Sequence, residues 1–128
     1  MTTPTTNIEQ VYDEATVRAR LQAELPRWFP EAGHIQRRYK TGGWKASLMV
    51  VNAIGHLAEA AWHHPEIELS YGHVLVKLQT HSAHGITDKD FELARKIEAL
   101  ISWQPGADSR SVLEGTPDDD RYTYIKYD

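Results

Sequence analysis

Two hydrophobic periods alternate along this chain, and each change of period marks a new element. Val17, Leu21 and Leu25 recur every four residues behind Asp13, a natural N-cap. They predict a helix over Glu14 to Leu25, which Pro26 ends. Trp28-Phe29-Pro30 predicts a short strand and Gly33 a turn. His34 to Lys40 then alternates, with Ile35, Arg37 and Tyr39 on one side, as the second strand of a hairpin. Arg37 sits on the buried parity, which calls for a partly open side there or a shifted register.

After the turn Thr41-Gly42-Gly43, a central helix is predicted over Trp44 to His63. Trp44, Leu48, Val51, Gly55, Ala58 and Trp62 form one stripe, while Met49, Val50, Ile54, Leu57 and Ala61 lie elsewhere around the cylinder. A helix apolar on more than one side is buried on more than one side. The second partner is expected to be another subunit. Pro65 forbids continuation and disfavours helix at His64. Ile67 to Tyr71 and Val74 to Thr80 alternate as two strands, either antiparallel neighbours or joined by a bulge at Gly72. Thr87 caps the last helix, with Asp90 as a weaker form of the capping box. That helix runs to about Trp103, with Lys89, Glu92, Arg95, Lys96 and Glu98 facing water. The order α-β-β-α-β-β-α predicts an α+β fold, a four-stranded antiparallel sheet with helices on one face, plus a C-terminal tail.

At 128 residues this is one domain, read as 13–104 between a flexible start (1–12) and an acidic, Tyr-rich extension (105–128). From Ala107 onward six acids stand against three bases. Tyr122 to Tyr127 is too apolar for a free tail and is expected to dock on its own domain or a neighbour as an added edge strand. No cysteine is present, so disulfides, thiolate metal sites and a cysteine nucleophile are excluded. Neither a secretory leader nor a membrane span is visible, and a cytoplasmic location is expected. No basic face of the kind nucleic acid requires is evident. The cluster Arg37-Arg38-Tyr39-Lys40 reads as a solvated strand.

Seven histidines remain to be explained. His34 and His73 read as ordinary strand residues and His56 as a structural mid-helix histidine. His63 and His64 also suit a helix C-terminus, where imidazolium meets the negative end of the dipole. With His81 they end separate elements, where pocket residues collect. Imidazole exchanges protons near neutrality, so the three read as a proton-transfer site. Glu59, one turn before His63, is placed to orient an imidazole or accept from a ligand's N–H groups. Zinc or iron held by His63, His64, His81 and His84 with Glu59 or Asp90 is the rival use. Adjacent histidines on a helix point about 100° apart and rarely share an ion, and no HExxH pattern is present, so no metal site is expected.

The string Glu59-x3-His63-His64-Pro65-x5-Tyr71-x9-His81-x8-Asp90 resembles the signature of the pterin-4a-carbinolamine dehydratases. Thr80 to Ala94 looks like that family's loop into its last helix. The likeness covers roughly Leu25 to Trp103. It implies dehydration of 4a-hydroxytetrahydropterin to quinonoid dihydropterin in tetrahydrobiopterin recycling, with the pterin as substrate and no cofactor or metal. It implies His63 and His81 as the acid–base pair, His64 holding the pterin beside Pro65, Glu59 at the pyrimidine edge and Asp90 supporting the pocket. Tyr71 is either a pocket wall or a core aromatic. A homodimer or homotetramer is implied. The alternative is a non-catalytic relative acting as a binding or assembly factor, such as a transcriptional coactivator. The complete histidine set favours the enzyme. The Ser82-Ala83-His84 loop and the long tail depart from the family pattern.

Overall fold

Asp13 starts the first helix, α1 (Glu14–Glu24), by accepting the Thr16 amide at 2.8 Å in the computed structural model, which describes residues 9–107 and 109–127. The chain continues through β1 (Phe29–Glu31), β2 (His34–Thr41), α2 (Trp44–Ala61), β3 (Glu66–Leu69), β4 (His73–Leu78), α3 (Asp88–Ile101) and β5 (Ile125–Lys126). Short 3-10 turns occupy His81–Ala83, Pro105–Ala107 and Asp120–Tyr122. The expected α+β order is present. The sheet is antiparallel, ordered β1-β2-β4-β3, with β5 as a fifth strand beside β2. β3 and β4 are antiparallel neighbours, not one strand with a bulge.

Register explains the core. Ile35, Arg37 and Tyr39 of β2 sit opposite Leu78, Val76 and Val74 of β4, all buried. Against that face pack Val17 and Leu21 of α1, Val50 and Ile54 of α2, and Phe91, Ala94, Ile97 and Ile101 of α3. Polar Arg38, Lys40, Glu66 and Glu68 alternate onto the other face and are exposed.

Several expectations need correction here. The Arg37–Lys40 stretch is not a solvated strand, since Arg37 and Tyr39 are both buried. Glu98, expected to face water, turns inward and meets them. Its Oε1 accepts from Arg37 Nε (2.9 Å), Trp28 Nε1 (2.9 Å) and Tyr39 Oη (2.7 Å). Its Oε2 accepts from Arg37 Nη2 (3.2 Å) and Ser102 Oγ (2.7 Å). The second correction is the phase of α2. Ala46, Ser47, Val50, Ile54 and Ala58 face the core, whereas Trp44, Leu48 and Trp62 of the expected stripe are exposed. With apolar residues all round, the sequence carried no vector to say which stripe meets the sheet. The third is His56, read as a satisfied structural residue, which is exposed on α2.

The tail docks as an added strand. Ile125 pairs with Thr41 and Lys126 with Lys40, and the Gly42 amide donates to Tyr124 O at 3.1 Å. A Cβ on Gly42 would lie 1.9 Å from Thr123 O, so only glycine admits this approach. The loose start expected over residues 1–12 falls partly outside the described residues. Glu9 to Tyr12 lie against the segment leading into α3.

Burial alone would raise the Glu98 carboxyl, but hydrogen bonds from Arg37, Ser102 and Tyr39 outweigh it and bring the pKa from 4.5 down to about 2. A depressed folded pKa contributes stability that is present above about pH 4.5 and is lost as pH falls through about 2. The shift is worth about 3 kcal/mol. Thermal melting should therefore lose stability steeply across that window. Glu98→Gln should destabilise by about 2–4 kcal/mol, since it removes the carboxylate charge paired with buried Arg37, and should flatten the same stretch of the curve. Gly42→Ala should detach the tail, read as faster proteolysis after residue 105 with the core melting temperature nearly unchanged.

Candidate active site

Pro65 permits helix up to residue 63, yet α2 stops at Ala61. Trp62 takes a left-handed conformation (φ 53°, ψ 47°), a place usually given to glycine, at a cost of about 1–2 kcal/mol. The Trp62 amide donates to Glu59 O (3.2 Å) and the His63 amide to Ala58 O (3.1 Å), closing the helix end. This reversal turns His63 off the helix face and toward α3.

His63 Nε2 there lies 2.7 Å from Asp90 Oδ1. The Asp90 side chain is fully buried and the imidazole nearly so, at 12% exposure. Asp90 Oδ2 accepts from Thr80 Oγ1 at 2.7 Å and from the Thr87 amide at 2.9 Å. The latter bond completes the capping box that starts α3. Thr80 and Thr87 hydroxyls also bond each other at 2.7 Å. One carboxylate thus caps a helix, pins the residue before His81 and orients His63. Because the carboxylate only accepts, the shared hydrogen sits on Nε2, and Nδ1 is left to exchange a proton with a ligand.

Glu59 does orient an imidazole, but that of His64, with Oε1 2.9 Å from Nε2. The turn at Trp62 has carried His63 out of its reach. The Trp62 ring meets His64 edge-on at 4.9 Å. Both partners of this second pair are open to solvent. His81 begins the 3-10 turn immediately after Thr80; it is exposed, and no hydrogen bond or ion pair engages its ring among the described residues. Pro65 is half-buried just before β3. His63 shares a cavity of about 410 Å³ with Trp62, Lys89, Glu92, Leu93 and Lys96. His64 and His81 do not line it.

Two residues stand apart from the cluster. Tyr71 lies at the other end of α2, where its carbonyl accepts from Ser47 Oγ and its ring nears Gly43. The 18 residues of α2 span about 27 Å, so within one chain Tyr71 does not wall the histidine site. It is not a core aromatic either, being 72% exposed. His84 faces a separate hollow with His34, Val11 and Tyr12. Among the described residues no group of three or more histidines and carboxylates is arranged to hold a metal ion, and no helix is long and apolar enough to cross a membrane. The capping-box pairing of Thr87 with Asp90 is present as expected, whereas sequence reasoning missed Thr80 as a further partner of Asp90. The capping-box spacing was the signal for the first, but a hydroxyl pair carries no pattern of its own.

The sequence profile of a family described as pterin 4 alpha carbinolamine dehydratase matches residues 10–100. A protein of Aquifex aeolicus, provisionally named a pterin-4-alpha-carbinolamine dehydratase, is 52% identical over 68 residues, which cover 53% of this chain and 69% of that one. A Thermomicrobium roseum protein of the same provisional name is 40% identical over 90 residues, covering 70% of this chain and 96% of its own. The crystal structure of a transcriptional coactivator/pterin dehydratase from Brucella melitensis superimposes with a TM-score of 0.64 at 29% identity, over 71% of this chain and 98% of that chain. With its profile matched over most of the domain and its fold shared with a solved relative, this chain belongs to the pterin 4 alpha carbinolamine dehydratase family.

Proposed function

We propose that this chain dehydrates a 4a-hydroxytetrahydropterin to the quinonoid dihydropterin plus water, as a step in tetrahydrobiopterin recycling. The observation that carries this reading is the His63–Asp90 pair, 2.7 Å apart with the carboxylate fully buried. Loss of the 4a-hydroxyl needs a proton delivered to the departing oxygen. The N5 proton must also leave, so that its electron pair forms the C4a=N5 bond. His63, oriented through Nε2, offers Nδ1 for one transfer, and His81 supplies the other. His64, paired with Glu59 on the solvent-exposed side, holds the heterocycle beside Pro65. The pterin is the substrate, and neither metal nor cofactor is invoked.

A subunit interface is part of the same reading. Trp44, Leu48 and Met49 leave an exposed apolar surface on α2. Such patches mark interfaces, and we assign this one to a homodimer or homotetramer. Light scattering at micromolar concentration should give a multiple of the chain mass; a monomeric mass would refute the assignment. The same surface serves the rival reading, a partner-binding factor of the coactivator kind, and turnover separates the two.

His63→Ala and His81→Ala should each slow dehydration by about 10²–10⁴-fold with unchanged circular dichroism. Parent rates in both variants would sink the proposal. Asp90→Asn should cost about 10–100-fold in turnover, as loss of an orienting partner does. It should also lower stability by about 1–2 kcal/mol through the weakened cap.

A further inference from the structure

Glu9 precedes the stretch that matches the family, yet it reaches the heart of the site. Its Oε1 accepts from Ser82 Oγ at 2.7 Å, and its Oε2 lies 2.7 Å from Lys89 Nζ. Ser82 follows His81, and Lys89 precedes Asp90. One carboxylate therefore spans the two segments that carry these groups. The contact is part of a longer seam. The Tyr12 amide donates to Ile86 O at 2.9 Å, and Tyr12 Oη donates to Asp88 Oδ1 at 2.8 Å. Val11 fills the space a side chain on Gly85 would need, with a Cβ there 2.6 Å from Val11 Cγ1. The Tyr12 ring packs edge-on against Phe91.

We propose that Glu9 is a positioning residue, whose carboxylate braces the His81 turn against the first turn of α3 and so sets His81 relative to the His63–Asp90 pair. A surface ion pair alone contributes little, but this one has a geometric consequence. Thr80, bonded to Asp90 Oδ2, holds the turn from its N-terminal side. Ser82, bonded to Glu9, holds it from the other side. His81 lies between the two anchors, with no hydrogen bond or ion pair of its own among the described residues. Without Glu9, one anchor is lost and the exposed imidazole can swing. Glu9 also carries charge. The Lys89 ammonium paired with it and the hydrogen bond from Ser82 hold its carboxyl below the usual range.

The catalytic consequence rests on the dehydratase reading; the brace itself does not. The test therefore has two readouts on the full chain, the NMR resonances of the His63 and His81 ring protons and the steady-state dehydration of a synthetic 4a-hydroxypterin. Glu9→Ala removes the carboxylate and with it the hold on both Ser82 and Lys89. The His81 ring resonances should then move toward those of a mobile, solvated imidazole, while the His63 ring, held by Asp90, should change little. Turnover should drop about tenfold, with KM changed by less than about twofold. Glu9→Asp keeps the charge but is one methylene too short for the bridge, so it should reproduce both the His81 shift and the loss of turnover. Parent-like His81 resonances in Glu9→Ala would overturn the inference whatever the activity. A chain whose His81 resonances respond as described but which dehydrates nothing would overturn the function and leave the brace standing.

Discussion

The buried carboxylate of Asp90 is the constraint on which the site depends. An unpaired buried carboxylate is costly, so its two oxygens must be satisfied from whatever surrounds them. Here the partners come from three places: the start of its own helix at Thr87, the end of β4 at Thr80, and the reversal after α2 at His63. Satisfying one charge thereby joins three segments far apart in sequence. The helix cap is the local part of this arrangement. The histidine is the functional part, and it exploits a carboxylate that the cap had already placed.

A second carboxylate on α3 does comparable work eight residues later. Glu98 accepts five hydrogen bonds, from the residue entering β1, from two residues of β2, and from the end of its own helix. Positions eight apart on a helix fall close to one face, so α3 presents both carboxylates toward the sheet. One anchors the arginine of β2 and the other orients an imidazole. The helix is amphipathic in the ordinary sense, with an acid set near each end of its apolar stripe.

The open side of α2 has a different logic. Ala46, Ser47 and Ala58 face inward because small side chains let the helix approach its own sheet. The large apolar residues Trp44, Leu48 and Met49 are left outside. Shape and size, not hydrophobicity alone, decided which stripe faces the domain.

Much of this was legible in the sequence. Strand alternation, the Asp13 and Thr87 caps, and a docked Tyr-rich tail are local patterns, enforced by backbone periods and by turn chemistry within a few residues. The string from Glu59 to Asp90 marked the right segments. Its pairings were another matter. That Glu59 meets His64 while His63 meets Asp90 follows from the left-handed turn at Trp62, which no glycine announces. That Glu98 points inward follows from Arg37 on the facing strand, and that Tyr71 lies apart follows from the length of α2. The sequence by itself determined the elements and the residue types available to the chemistry. Only the tertiary structure decided the partners, because a buried charge selects its neighbour through space, and distance along the chain does not enter that choice.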